Sequence, residues 1–214
     1  SVGYYNIGEK FANILQLLMD SINRVFNPFF QEKAHSDTIE SKKEIVNRFY
    51  DLITLYFIGA FLLICFSEEL IKVLTTEEYY MSIYLAPLFI YYYLTGATLG
   101  MLSVNQIMFG KKLIYQLPVS LVDIFINVGL NIILIPRYGV IGAVIATVIS
   151  ALIADSLLLY FGQRAFYLPI NIKRLISMFC IMILFTIPIY ILMASNIHVM
   201  AKVLSKIIFI ILLI

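Results

Sequence analysis

The chain has 214 residues, of which 62% are hydrophobic and 13% charged, with a formal net charge of +2 and a mean hydropathy of +0.94. A water-soluble domain is ~45–50% apolar and ~25% charged, so this composition excludes a soluble globule, and its apolar content excludes a disordered chain. A charge of +2 leaves no basic footprint for nucleic acid, and Cys65 and Cys180, both inside apolar runs, form neither a disulfide framework nor a CxxC redox motif.

The pattern predicts seven helical segments over 2–30, 48–66, 82–109, 113–135, 140–162, 174–194 and from about 201 onward. The expected fold class is all-α, a polytopic transmembrane bundle of about six complete helices and a truncated seventh. The apolar runs are too long, and alternate too little, for transmembrane strands. Residues 31–47 form the most polar stretch and read as a connection, with Lys33, Asp37, Lys42, Lys43 and Glu44. Residues 67–81 read as an interfacial connection in which Leu70, Ile71, Val73 and Leu74 predict a short helix. The chain opens at Ser1 without Met and stops inside the apolar run 207–214, which reads as a cut helix of a longer protein.

Lys and Arg set the expected orientation. The connections after the first, third and fifth segments carry Lys33, Lys42, Lys43, Arg48, Lys111, Lys112, Arg164, Lys173 and Arg174. The alternate connections carry Lys72, Arg137 and Lys202, with Lys206 early in the last segment. The positive-inside rule therefore puts the first set in the cytoplasm and Ser1 outside.

The first segment carries the main functional signal. Asn6, Glu9, Asn13, Gln16, Asp20, Asn23 and Asn27 recur every three or four residues, within an arc of roughly 100°. Lys10 and Arg24 flank that arc. Facing lipid, each charge would cost ~2.5–3.5 kcal/mol, so the stripe is expected to border an aqueous passage enclosed by protein. The alternative is a surface helix that never spans. A weaker stripe on the fourth segment holds Gln116, Ser120, Asp123, Asn127 and Asn131. The third offers Tyr91, Thr95, Thr98, Asn105 and Gln106. The candidate substrate-cavity residues are Glu9, Lys10, Asn13, Gln16, Asp20, Asn23, Arg24, Gln116, Asp123 and Asn127. Asp20 lies one turn before Arg24 and can pair with it, whereas Lys10 has no such neighbour. Asp155 reads chiefly as a packing carboxylate.

Gly142, Ala146, Ser150 and Ala154 form a small-residue ladder, and Gly96 with Gly100 a GxxxG motif; both suit close helix packing. Pro118 and Pro188 are expected to kink helix interiors. The chain has no HExxH, phosphate loop or GxSxG, and His35 and His198 read as solvated. No catalytic residue, metal site or cofactor is expected, so the reading is a carrier rather than an enzyme.

The stretch from Asn131 through Pro136, Arg137, Tyr138, Gly139, Gly142 and Ala143 resembles the Asn-(apolar)-Pro-x-Tyr/Phe-Gly-x-x-Gly-Ala signature of polysaccharide biosynthesis membrane proteins. These are the Wzx-like oligosaccharide flippases of the multidrug/oligosaccharidyl-lipid/polysaccharide exporter superfamily. Val2, Gly3 and Tyr5 resemble the Val-Gly-x-Tyr that opens the family's eighth helix, and Pro28 the proline that closes it. One departure is 75–79, where Tyr79 matches but the family's glycine is missing.

The resemblance implies the C-terminal lobe of a two-lobe exporter in a bacterial or archaeal cytoplasmic membrane. It implies alternating-access flipping of a polyprenyl-pyrophosphate-linked oligosaccharide, such as an O-antigen, capsule or exopolysaccharide repeat unit. Partners would be that lipid-linked oligosaccharide, membrane lipids, and a glycan polymerase with its glycosyltransferases. A cation-coupled multidrug exporter, which would favour carboxylates over cations in its cavity, and a non-transporting scaffold are the competing readings.

Overall fold

The computed structural model describes residues 2–195 and 202–208. Among these the chain is helical, without strands. The last residues of the seventh segment and His198 lie outside the described residues. The elements are α1 (Val2–Ala12), α2 (Ile14–Ser36), α3 (Ile39–Cys65), α4 (Ser67–Leu74), α5 (Ser82–Thr95), α6 (Met101–Phe109), α7 (Gln116–Ala165) and α8 (Ile172–Ala194). Residues 202–208 form a further helical stretch.

The expected first helix is in fact two. Asn13 interrupts it while keeping near-helical angles, and its N–H still reaches the Glu9 carbonyl at 2.8 Å. Nor does Pro28 close it: α2 runs through Pro28 to Ser36. Phe30 and Ala34 are buried beyond the proline, so packing outweighs the one backbone bond that proline removes. Asp37 then turns the chain in left-handed conformation (φ 47°). Thr38 starts α3 with a capping box shared with Ser41, each side chain bonding the other's backbone N–H at 3.1 Å.

The connection expected over 31–47 therefore shrinks to Asp37 and Thr38, and α3 begins well before Arg48. Charge excludes residues from hydrocarbon, but it does not prevent them from forming helix outside it. In 67–81 the short helix α4 forms as expected, followed by a 3₁₀ turn at Glu77–Tyr79.

Helices α5 and α6 make one rod through a π-helical stretch, Gly96–Gly100. The two segments expected at 113–135 and 140–162 are arms of one hairpin, α7, which reverses at Gly139 with φ 57° and ψ −134°. That backbone region suits only glycine. The small-residue ladder does its expected work here. Gly142, Ala146, Ser150 and Ala154 are all buried, and a Cβ at Gly142 would stand 2.4 Å from the Leu134 carbonyl oxygen of the opposite arm. The other glycine motif is only half a packing motif: Gly100 lies against Asp155, but a Cβ on Gly96 would meet nothing within 4 Å. Pro118 proves to be in the first turn of α7 rather than inside it, where its missing N–H costs nothing.

Four helices are long and apolar enough to cross a membrane: Ile39–Cys65, Ser82–Phe109, Leu113–Ala165 and Ile172–Ala194. The third is the doubled hairpin. The α1–α2 pair is not among them, because its polar stripe dilutes its hydropathy. Helix α1 packs on α5, α2 on α3, α8 on α3, and α7 on α5 and α6. The apolar side of α2 (Leu15, Met19, Ile22, Phe26, Phe30) faces this core.

The connections gather at two ends, alternating as the basic residues suggest. At one end Lys42 lies over the Phe166 ring, His35 over Phe109, and Tyr50 donates to the Asn171 carbonyl. At the other, Tyr190 donates to the Tyr84 carbonyl. There Lys202 and Lys206 are buried against Glu68 and Glu69 of α4.

Candidate functional site

A cavity of about 410 Å³ opens between α2, the α5–α6 rod and both arms of α7. Two features of the sequence create it. The glycine-rich π stretch presents Gly96, Ala97 and Gly100 instead of bulky side chains, and Ala151 and Ala154 face them from α7. Around this small-residue waist stand Gln16, Asn23 and Asn27 of α2, Tyr56 of α3, Tyr92, Tyr93 and Asn105 of the rod, and Asp123 and Asp155 of α7. The volume falls in the range of small-molecule sites, ~300–1,000 Å³.

The lining is rich in donors and acceptors. Asn105 donates its amide to the Asn27 side-chain oxygen at 3.0 Å and to the Met101 carbonyl at 3.0 Å. Tyr93 donates to Asn13 at 3.2 Å, which ties the α1–α2 break to the cavity rim. Tyr56 is fully buried, and its hydroxyl has no hydrogen-bond partner among the described residues. A buried hydroxyl left unmade costs about 1–3 kcal/mol, so a group able to bond it from the cavity would recover that energy.

Of the ten residues predicted from the pattern, Gln16, Asn23 and Asp123 line this cavity. Asn13 stands at its edge through Tyr93. Asp20 is exposed and accepts the Gln16 amide at 2.9 Å, and among the described residues it forms no ion pair with Arg24. Glu9, Lys10 and Arg24 are exposed and are not among the lining residues, although Glu9 acts electrostatically on the lining tyrosines Tyr92 and Tyr93. Gln116 lies at the start of α7, also outside it. Asn127 is instead a clasp within the hairpin: it donates to Ser150 at 3.1 Å and accepts from Asn131 at 2.8 Å.

The polar stripe thus divides. Gln16, Asn23 and Asn27 enter the cavity and Asn13 reaches its rim, while Asn6 and Asp20 are exposed outside the lining; the apolar side of the same helices takes the core. The sequence reading missed Asp155, Tyr56, Tyr92 and Tyr93. Their signal was weak: a tyrosine or a lone aspartate in an apolar helix reads as packing until the neighbouring helix is placed. Tyr91, grouped with the polar side of the third segment, points elsewhere and donates to Thr186 at 2.8 Å. Gln106 is a tie between elements, donating to the Phe166 carbonyl at 2.7 Å.

No known protein family matches the chain, and neither a curated protein nor a solved structure is similar to it.

Proposed function

We propose that the protein is a membrane carrier that passes a polyprenyl-pyrophosphate-linked oligosaccharide across the cytoplasmic membrane by alternating access. The observation that carries this reading is the cavity beneath the polar stripe, where amides, tyrosines and the unpartnered Tyr56 hydroxyl converge on one space. Sugar hydroxyls both donate and accept, and amides and phenols supply both functions at neutral charge. The resemblance around Pro136–Gly142 supports the same reading. In it, Gln16, Asn23 and Asn27 hold the sugars. Lys10 and Arg24, on the exposed edge of the same helices, meet the pyrophosphate. The glycine hairpin and the π stretch are the places where the helices bend during the cycle.

A second reading has one specific observation behind it. The cavity lining contains two carboxylates, Asp123 and Asp155, and no lysine or arginine. That charge balance suits an exporter of cationic compounds within the same superfamily.

One assay separates the two. The protein is reconstituted in vesicles, and flipping of a fluorescent polyprenyl-pyrophosphate oligosaccharide is measured beside uptake of a cationic dye. The first reading expects flipping that falls at least tenfold in Gln16→Leu/Asn23→Leu. Absence of flipping by the intact protein, with dye transport dependent on Asp155, overturns it in favour of the second.

A further inference from the structure

We infer that the end of the bundle where α6 meets α7 carries a binding corner for an anionic phospholipid, built by Lys111, Lys112 and Arg164 beside Leu113 and Ile114.

A backbone contact brings the three cations together. Gly110 lies so close to the end of α7 that a Cβ there would stand 2.6 Å from the Ala165 carbonyl oxygen. Lys111 follows in left-handed conformation (φ 53°). The N–H groups of Lys111 and Lys112 return to the carbonyls of Met108 (3.1 Å) and Ile107 (3.0 Å). The turn is therefore a fixed cap on α6, pinned against α7, and not a loose loop. Phe109 packs on Phe166 with ring centroids 4.8 Å apart, and Gln106 ties the same segment. Arg164 sits over the Tyr160 ring, its guanidinium carbon 4.7 Å from the centroid. That stacking leaves the guanidinium N–H edges free to meet an anion.

All three cations are exposed, and none forms an ion pair among the described residues. Two carboxylates at this end are engaged elsewhere, Asp37 with Lys42 at 2.6 Å and Glu44 with Lys33 at 2.5 Å, and Glu32 and Glu40 form no ion pair with the three cations among the described residues. The patch consequently keeps its positive charge.

The second half of the site is apolar. Leu113 and Ile114, next in sequence, are 59% and 68% exposed. Leu113 and Ala165 are the two ends of the apolar hairpin, so the cations sit where both arms leave hydrocarbon, at the depth of lipid phosphates. A phosphate on Lys111, Lys112 and Arg164, with an acyl chain along Leu113 and Ile114, satisfies both halves at once. A soluble anion satisfies only the first, and a protein partner would have to reach a surface ringed by lipid. Each basic side chain near a membrane surface strengthens anionic lipid binding about fivefold.

The chain has no tryptophan, so Leu113→Trp makes a single emitter at the corner. Its quenching is compared in vesicles of phosphatidylcholine carrying brominated phosphatidylglycerol or brominated phosphatidylcholine. The expected result is a preference for the anionic lipid well above tenfold, which Lys111→Asn/Lys112→Gln lowers about twenty-fivefold. Asn is chosen at 111 because it tolerates the left-handed backbone. A second emitter, Ile132→Trp, near the opposite end of the same hairpin and also exposed, has only Arg137 nearby and should show a preference of at most about fivefold. Equal quenching by the two lipids at position 113 overturns the assignment. So does a preference that survives removal of both lysines, or one that millimolar inorganic pyrophosphate abolishes.

Discussion

Adding one methyl group at Gly142 tests the hairpin directly. A Cβ there would stand 2.4 Å from the Leu134 carbonyl oxygen, 2.7 Å from its carbonyl carbon and 3.1 Å from its Cβ. Two of these are backbone atoms, which cannot rotate away. The arms must separate by about 0.6 Å or more before the contact becomes tolerable, and such overpacking costs about 1–3 kcal/mol. Separation also stretches the clasp from Asn127 to Ser150 (3.1 Å) and to Thr147 (3.5 Å), which adds ~1 kcal/mol. Gly142→Ala is therefore expected to destabilise the fold by about 2–4 kcal/mol.

Gly129 supplies the matched control. It lies on the same hairpin, and a Cβ there meets nothing within 4 Å. Gly129→Ala should be neutral or stabilising by up to ~1 kcal/mol, the gain in helix propensity. Both variants are titrated with SDS in one mixed-micelle system, with helicity followed by circular dichroism. Equal stabilities for the two variants would refute the close approach of the arms.

Three further outcomes follow from buried groups. Lys206, fully buried between Glu69 (2.7 Å) and Glu68 (3.6 Å), should cost about 3–5 kcal/mol when changed to Met; adding Glu69→Gln should recover part of that loss in the same titration, and an additive double variant would disprove the pairing. Burial by itself raises the Glu68 carboxyl, but hydrogen bonds from Lys72 and Lys202 outweigh it and leave the group below its ordinary value of 4.5. A lowered folded value means that the stabilisation is complete above pH 4.5 and disappears as the pH falls through the folded value. Unfolding at stepped pH should show this acid loss in the intact protein and much less of it in Glu68→Gln. Tyr56→Phe removes a hydroxyl that has no partner among the described residues; stability should stay within about 1 kcal/mol or rise, while flipping of the lipid-linked oligosaccharide falls several-fold, and unchanged flipping would take Tyr56 out of the site.

Sequence alone was sufficient for the helical membrane class, the short helix α4, the bounds of the Ser82–Phe109 rod, the small-residue ladder and the alternation of basic connections. Each of these rests on local chemistry: apolar run length, period, and small side chains at four-residue spacing. The stripe of α1 and α2 was equally legible as a stripe. Which way it faces was not. The same 100° arc fits a helix turned inward or outward, and only the packing of Leu15, Met19, Ile22 and Phe26 into the core decided that Gln16, Asn23 and Asn27 meet the cavity and Asp20 does not. Asp155, Tyr56 and Tyr93 entered the site for the same reason. A cavity is the space left between helices far apart in sequence, so its walls are decided by how the rod, α2 and the hairpin come together.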